Sequence, residues 1–204
     1  DYVLEHSDAE AAITFGDIAG PLRSLRDSLP RGLIVARGAE AGDIAFEALL
    51  EAGQGQTVAP ADTGANDPAF SVYTSGTTGR PKGIVHAHRW IVAQGDMNRL
   101  RIAPQPGDVV MATGEWSFIS ALGHNVLFAL RNGITGTILE GRAHPDAVLE
   151  AVGKFRVTLI YSVATVYRRI LAIEGVENRY DLSSLRGCNA TGEALEAATY
   201  NEWV

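Results

Sequence analysis

The sequence predicts an α/β fold of mainly parallel sheets flanked by helices. Three observations predict it. Short apolar runs alternate with amphipathic runs of about ten residues, and strands alternating with helices need crossover connections that make parallel sheets. Gly, Pro and Asn fall mostly between the runs, where turn and cap signals belong. A 46% hydrophobic, 20% charged composition over 204 residues supplies a core and excludes a disordered chain.

Each element follows from its residues. Residues 11–15 read as a strand, and 17–29 as a helix with Pro21 in its first turn, where a missing N–H is harmless. Residues 33–36 are a strand. Residues 43–52 form a helix that opens on an acid and stops at Gly53, matching the dipole and C-cap preferences. Residues 53–68, rich in Gly, Ala, Asp and Pro, are an exposed connector. Strands are predicted at 70–74 and 84–86, then a helix at 88–100. A turn at 104–108 leads into a strand at 109–112. Residues 122–131 are helical and end on Asn132-Gly133, a C-cap signal. There follow a strand at 134–139, a helix at 145–155, a strand at 157–161, a helix at 165–173 and a strand at 185–189. A last helix begins over 194–203.

Composition excludes several function classes. Against 17 basic residues stand 24 acidic ones, a net charge of −7. Nucleic-acid binders draw most of their affinity from neutralised phosphates, so nucleic acid is excluded as a main partner. A small phosphate ligand remains compatible. One cysteine, Cys188, cannot form an intrachain disulfide or a cysteine-rich zinc site. Its apolar neighbours at 185–190 predict a buried structural thiol. No basic-then-apolar leader and no run of ~20 apolar residues is present, so neither a membrane span nor a membrane partner is expected. A reduced, cytoplasmic setting is expected. His86 and His88 would share one strand face, which is half a metal site without a third ligand; a structural role is preferred. Arg168-Arg169 reads as a solvated helix face. Residues 1–4 look like the tail of a helix, and the chain stops inside an amphipathic pattern at 203–204. The expectation is the middle of a longer polypeptide.

The most informative stretch is Tyr73-Thr74-Ser75-Gly76-Thr77-Thr78-Gly79-Arg80-Pro81-Lys82-Gly83. It follows a predicted strand. Two glycines permit positive φ and close backbone approach, so successive N–H groups can face one anion. Ser75, Thr77 and Thr78 add hydroxyl donors, and Lys82 adds a mobile cation. A polyphosphate needs that combination. The stretch is no Walker loop, because two residues separate Gly76 from Gly79 and Lys82 is followed by Gly83.

This string resembles the phosphate-binding signature of the adenylate-forming superfamily, which holds acyl-CoA synthetases, non-ribosomal adenylation domains and luciferases. The resemblance continues through Gly83-Ile84-Val85-His86-Ala87-His88-Arg89, residues 157–171, Asp181-Leu182-Ser183-Ser184-Leu185-Arg186 and Ala190-Thr191-Gly192-Glu193-Ala194-Leu195. Benzoate- and aminobenzoate-type acyl-CoA ligases are the most similar: Ala121-Leu122-Gly123-His124-Asn125 is similar to their Gly-Leu-Gly-Asn stretch. The chain would then be part of the large N-terminal AMP-binding (adenylation) domain, with the start of that domain and the small C-terminal domain outside it.

The resemblance implies roles by position. Thr74, Ser75, Gly76, Thr77, Thr78, Gly79 and Lys82 would hold the ATP phosphates. Donors preorganised around departing pyrophosphate stabilise charge that grows in the transition state. Gly192, Glu193 and Ala194 would lie against adenine; for Glu193 that role is preferred to the alternative of a helix N-terminal acid. Trp116, Phe118, Ala121, Leu122, Gly123 and His124 would line the acyl pocket, with Ser162 and Val163 near its base. His124 would orient a carboxylate or sit as a satisfied core histidine.

The implied activity is that of an AMP-forming carboxylic acid–CoA ligase, using ATP, Mg2+ and CoA on an aryl or short- to medium-chain acid. Rivals are a domain that loads a carrier protein and a non-catalytic nucleotide-binding module. A homodimer is the oligomer considered. The family's magnesium-holding Thr-Glu segment, its ribose-binding aspartate and its catalytic lysine have no counterpart in the sequence. Lys154, the one lysine besides Lys82, matches no motif. Ala164 stands where the family usually has proline. These 204 residues alone are therefore expected not to catalyse adenylation.

Overall fold

The computed structural model describes residues 2–75, 79–115 and 118–204. The chain divides into two compact units, Asp1–Thr63 with Ser71–Val85 and Gly64–Phe70 with His86–Val204.

In the first unit, α1 (Tyr2–His6) leads to β1 (Ala12–Phe15), α2 (Gly20–Arg23), β2 (Leu33–Ala36), β3 (Ile44–Ala45) and α3 (Phe46–Ala52). The three strands form a parallel sheet in the order β1-β2-β3, with Ala12 opposite Leu33 and Ile34 opposite Ile44. Ala19, Leu29, Leu33 and Val35 form its buried core. The helix predicted at 17–29 is instead three short pieces, 3-10 turns at Gly16–Ile18 and Arg26–Ser28 flanking α2. Gly20-Pro21 restarts the helix there. Ser24 and Ser28 hydroxyls donate back to the Pro21 and Leu25 carbonyls at 2.8 and 2.7 Å, competing with the backbone ladder. The helix predicted from 43 begins three residues later. Asp43 instead accepts from the Glu40 N–H and from Arg23 and Arg26, and Ile44 is taken up by the sheet. The Glu40 N–H foremost, with both guanidiniums, holds its carboxyl below the usual range.

Strands β4 (Pro68–Thr74) and β5 (Lys82–Ala87) pair in a two-stranded sheet. The connector before β4 is exposed, as composition predicts.

In the second unit, α4 (His88–Ile102), β6 (Val109–Ala112) and α5 (Ile119–Ala121) run into a π-helical turn at Leu122–Phe128. Then come α6 (Ala129–Asn132), β7 (Thr135–Thr137), α7 (Pro145–Phe155), β8 (Leu159–Ser162), α8 (Ala164–Leu171), α9 (Val176–Arg179), β9 (Gly187–Ala190) and α10 (Ala197–Trp203). The sheet order is β7-β6-β8-β9, all pairs parallel. On one face Met111 and Ile160 pack against Val148 and Val152 of α7 and Val166 and Ile170 of α8. On the other, Val110, Leu159 and Tyr161 pack against Phe128. That alternation is what strands buried on both faces require.

His86 stacks on Phe70 at 4.9 Å with an interplanar angle of 22°, and Trp90 packs on both. This ring cluster accounts for His86 structurally. Cys188 corrects the expectation of a buried thiol: the residue is exposed. It lies on edge strand β9, beside a concavity of about 680 Å³ lined also by Tyr167, Leu185, Tyr200 and Trp203. Protein packed around the sulfur still pushes its pKa up.

Candidate functional site

In open parallel sheets, ligands bind beyond the carboxyl ends of strands at the point where successive connections leave in opposite directions. Here β6 connects outward to β7, and β8 connects the other way to β9. The switch point therefore lies between β6 and β8. Thr113 follows β6 and Ser162 ends β8; both are buried, and their hydroxyls hydrogen-bond at 2.5 Å.

The π-helical turn sets the wall beside that point. Widened turns of this kind recur at functional sites because they displace side chains from the α-helical register. The buried Asn125 Oδ1 accepts from the Ala112 N–H at 2.5 Å, and its Nδ2 donates to the Ala112 carbonyl at 3.1 Å. One side chain thus continues the ladder past the end of β6. His124, 8% exposed, stacks on Tyr161 at 3.7 Å and 21°. Its Nδ1 lies 2.8 Å from the Ser120 carbonyl, which can only accept, so Nδ1 carries the proton. Burial lowers the His124 pKa foremost; the Ser120 bond works against this, and the Arg101 charge adds to it. The ring is neutral and Nε2 is a lone-pair acceptor. Among the described residues no group hydrogen-bonds to Nε2. The Tyr161 hydroxyl is also buried without a partner among them. Burial pushes its pKa up to about 12.

The other proposed acyl-pocket residues are distributed unevenly. Ala121 is fully buried, Leu122 half-buried and Phe118 exposed. The space beside Gly123 is taken by Gln94 of α4, whose Nε2 would stand 3.0 Å from an added Cβ. Val163 is partly exposed, in the extended conformation that precedes α8. Trp116 lies outside the described residues.

The segment after β9 lies against the end of β8, with the Thr191 N–H donating to the Ser162 carbonyl at 2.9 Å. Gly192 has φ +88°, a left-handed conformation that glycine adopts without strain. Glu193 resolves its two readings in an unforeseen way. It heads no helix of its own, since α10 starts at Ala197. Its carboxylate accepts from the Thr165 N–H and, at 2.7 Å, from the Thr165 hydroxyl, while Arg168 stands 3.7 Å away. Glu193 therefore caps α8 from across the loop. This also makes Arg168 half-buried and engaged, correcting the solvated-face reading, whereas Arg169 is exposed. Ala194 is exposed.

A prediction follows for Glu193. The Thr165 hydroxyl and N–H hold its carboxyl below the usual range. A depressed pKa contributes stability above the unfolded pKa and loses it as pH falls through the folded one. Glu193→Gln should lower the melting temperature at pH 7, and the gap to the parent should close toward pH 3. A gap that persists unchanged at pH 3 would contradict this.

The phosphate-loop residues belong to the first unit. Thr74 ends β4, Ser75 follows it exposed, and Lys82 opens β5, also exposed. Gly79 has φ +105° and open space beside it. Tyr73 packs its ring against Gly83, and its hydroxyl meets His6 Nδ1 at 2.8 Å. Gly76, Thr77 and Thr78 lie outside the described residues.

The profile of one family, described as AMP-binding enzyme, matches residues 1–204. The chain belongs to the AMP-binding enzyme family. Within that family it is 34% identical to a 3-hydroxybenzoate–CoA ligase of Aromatoleum sp. (strain CIB) over 210 residues, covering 100% of the chain and 39% of the relative. It is 32% identical to a benzoate–CoA ligase of Thauera aromatica over 206 residues, covering 100% of the chain and 38% of that relative. Its structure is similar to that of an anthranilate CoA ligase in complex with anthranoyl-AMP, with a TM-score of 0.90 and 29% identity over 99% of this chain and 40% of that one. The chain spans about two fifths of the length of these AMP-binding relatives.

Sequence reading missed Thr113 and Tyr161 at the ends of β6 and β8, Thr165 in α8 and the ladder-capping role of Asn125. The signal available was position. Thr113 directly follows an apolar strand, where the carboxyl-end rule points. No helix among the described residues is long and apolar enough to cross a membrane.

Proposed function

We propose that the polypeptide carrying this chain is an AMP-forming carboxylic acid–CoA ligase acting on an aryl acid, and that residues 1–204 are part of its N-terminal AMP-binding domain. One observation carries the reading. The family match runs over every residue, and in the second unit the segments assigned to acid and adenine meet at the carboxyl ends of β6, β8 and β9. In this reading Thr74, Ser75, Gly76, Thr77, Thr78, Gly79 and Lys82 hold the ATP phosphates. Gly192 lets the flat base approach the backbone at Thr191–Ala194, and Glu193 keeps that loop pinned to α8. The acid lies beside His124, Ser162 and Val163. Its carboxylate attacks the α-phosphorus, giving acyl-AMP and pyrophosphate, and the CoA thiol then displaces AMP. The leaving pyrophosphate gathers charge that hydroxyl and N–H donors and one lysine offset.

Magnesium is expected with ATP. Among the described residues no group of three His, Cys, Asp or Glu side chains could hold a metal ion. A cytoplasmic location belongs to the same reading and is supported by a lone cysteine that leaves no intrachain disulfide.

The test is a panel of acids with the whole polypeptide, ATP, Mg2+ and CoA, scored by AMP release. An aryl acid should release AMP in a CoA-dependent way. Release only with a carrier protein, or with no acid at all, overturns the ligase reading.

A further inference from the structure

We propose that helix α1 braces both ends of the phosphate loop, with His6 and Tyr73 as positioning residues that set the protein's affinity for the ATP phosphates. The inference rests on the loop assignment in the ligase reading above and deepens it.

Three observations within the first unit carry it. The first is at the start of the loop. Tyr73 precedes Thr74 at the end of β4, and its hydroxyl meets His6 Nδ1 at 2.8 Å, 67 residues away in sequence. The two rings meet edge to face, with centroids 5.8 Å apart and an interplanar angle of 85°. The second is at the end of the loop. The Arg80 guanidinium lies over the Tyr2 ring, 5.1 Å from its centroid. The Tyr73 ring also lies against Gly83, where an added Cβ would stand 3.1 Å from Cζ. The third is the anchor. Tyr2 and His6 are four residues apart on α1, so they share a helix face, and their rings are 5.2 Å apart. Leu4, between them in sequence, packs against the core of Ala19, Leu29, Leu33 and Val35.

Helix α1 thus ties the loop to the core of the first unit. Strand β4 ends on Thr74 and β5 opens on Lys82, so whatever fixes Tyr73 and Gly83 fixes their immediate neighbours. The need is physical. Two strands alone make a marginal hairpin. Donors aimed at one anion gain most when they are fixed before it arrives. If only a fraction of the molecules holds the binding geometry, apparent affinity falls by that fraction. His6 and Tyr73 act through Thr74, Ser75 and Lys82, so their effect belongs to the β- and γ-phosphates. AMP lacks those groups and should not sense the brace.

The experiment measures equilibrium binding of ATP with Mg2+, and of AMP, to the whole polypeptide without acid or CoA. The proteins are the parent, His6→Ala, Tyr73→Phe and the double variant. Each single change should raise the Kd for ATP about fivefold, the effect of one net hydrogen bond. The Kd for AMP should stay within about twofold of the parent's. The double variant should bind ATP no more weakly than the weaker single one, because the two residues form one tie. ATP held by both single variants as tightly as by the parent overturns the proposal. AMP weakened as much as ATP also overturns it, since that marks a general softening of the protein. Losses that multiply in the double variant overturn it too, because the residues would then act separately. A parent protein that binds no ATP removes the ligase reading and the brace with it, a result seen before any variant is made.

Discussion

Replacing Asp108 by alanine should cost the second unit about 3 kcal/mol, the range for breaking a buried ion pair. Asp108 is 4% exposed and ties the amino ends of three strands together. Its Oδ1 accepts from the Thr158 hydroxyl and Arg186 Nε, both at 2.8 Å. Its Oδ2 accepts from Arg186 Nη2 and from the Gln105 N–H. Thr158 precedes β8 and Arg186 precedes β9, so one carboxylate sets the stagger of β6, β8 and β9. Alanine would leave Arg186 Nε and the Gln105 N–H without an acceptor, while the Thr158 hydroxyl and Arg186 Nη2 keep the Val109 and Ala103 carbonyls. Arg186 is 31% exposed and can turn to water, which keeps the loss from the top of that range. The pH dependence has a definite sign. The guanidinium foremost holds the Asp108 pKa near about 2, below its ordinary 3.8. A depressed carboxylate pKa contributes stability that is complete above the unfolded value and lost as pH falls through the folded one. The difference is worth on the order of 2 kcal/mol. In urea titrations the gap between the parent and Asp108→Asn should be full at pH 5 and mostly gone by pH 2. A gap below about 1 kcal/mol at pH 7 would show that water replaces the network without loss.

The clamp sits at the opposite end of the strands from the candidate site. That separation explains what could be read in the sequence. Strand β6 and helix α7 match their predicted bounds residue for residue, since Val109–Ala112 is an unbroken apolar run and Pro145 marks a helix start. Signals of that kind are local. The helix at 17–29 is broken by the Gly20-Pro21 restart and the Ser24 and Ser28 back-bonds, to which Asp43 adds a distant pull on Arg23 and Arg26 across about 20 residues of chain. A distant partner also shifted the start of α10. Glu193 looked like its leading acid, but the carboxylate is drawn to α8, 28 residues earlier in sequence.

The site was legible where backbone needs dictate residue type. Gly79 has the positive φ that the loop argument allowed for, and Gly192 also has one. Side-chain partners were less legible. Nothing in the sequence says that the His124 proton goes to Ser120, or that Asn125 rather than a strand residue completes the Ala112 ladder. Both depend on the extra residue in a π-helical turn, which hydrophobic periodicity cannot distinguish from an α-helix over one turn. The small size of Gly123 was read as room for a ligand; Gln94 occupies that space.

Gly136→Ala should be as damaging as any glycine-to-alanine change among the described residues. Gly136 is the middle residue of β7, paired opposite Val110, and its φ is not positive. Backbone conformation therefore permits alanine. Space does not. A Cβ would run into the Asn125 carbonyl oxygen, lie 3.0 Å from its carbon and 3.4 Å from the Ala129 Cβ. The obstacle is main chain inside the π-helical turn, which no rotamer change relieves. Either β7 leaves β6 or the turn shifts, and Overpacking of this kind costs about 3 kcal/mol or more when backbone must move. A shift of the turn would carry His124 and Asn125 with it, since the obstructing carbonyl is that of Asn125 and His124 is the residue before it. The damage should then appear twice, as a lower urea midpoint and as a loss of near-ultraviolet circular dichroism from the Tyr161 stack. Gly20→Ala is the control: its Cβ meets nothing within 4 Å, and it opens a helix, so it should be neutral or stabilise by about 0.5 kcal/mol. Equal midpoints for the two variants would mean that β7 and the turn separate freely, and the wall beside β6 would then be too soft to hold His124 in one tautomer.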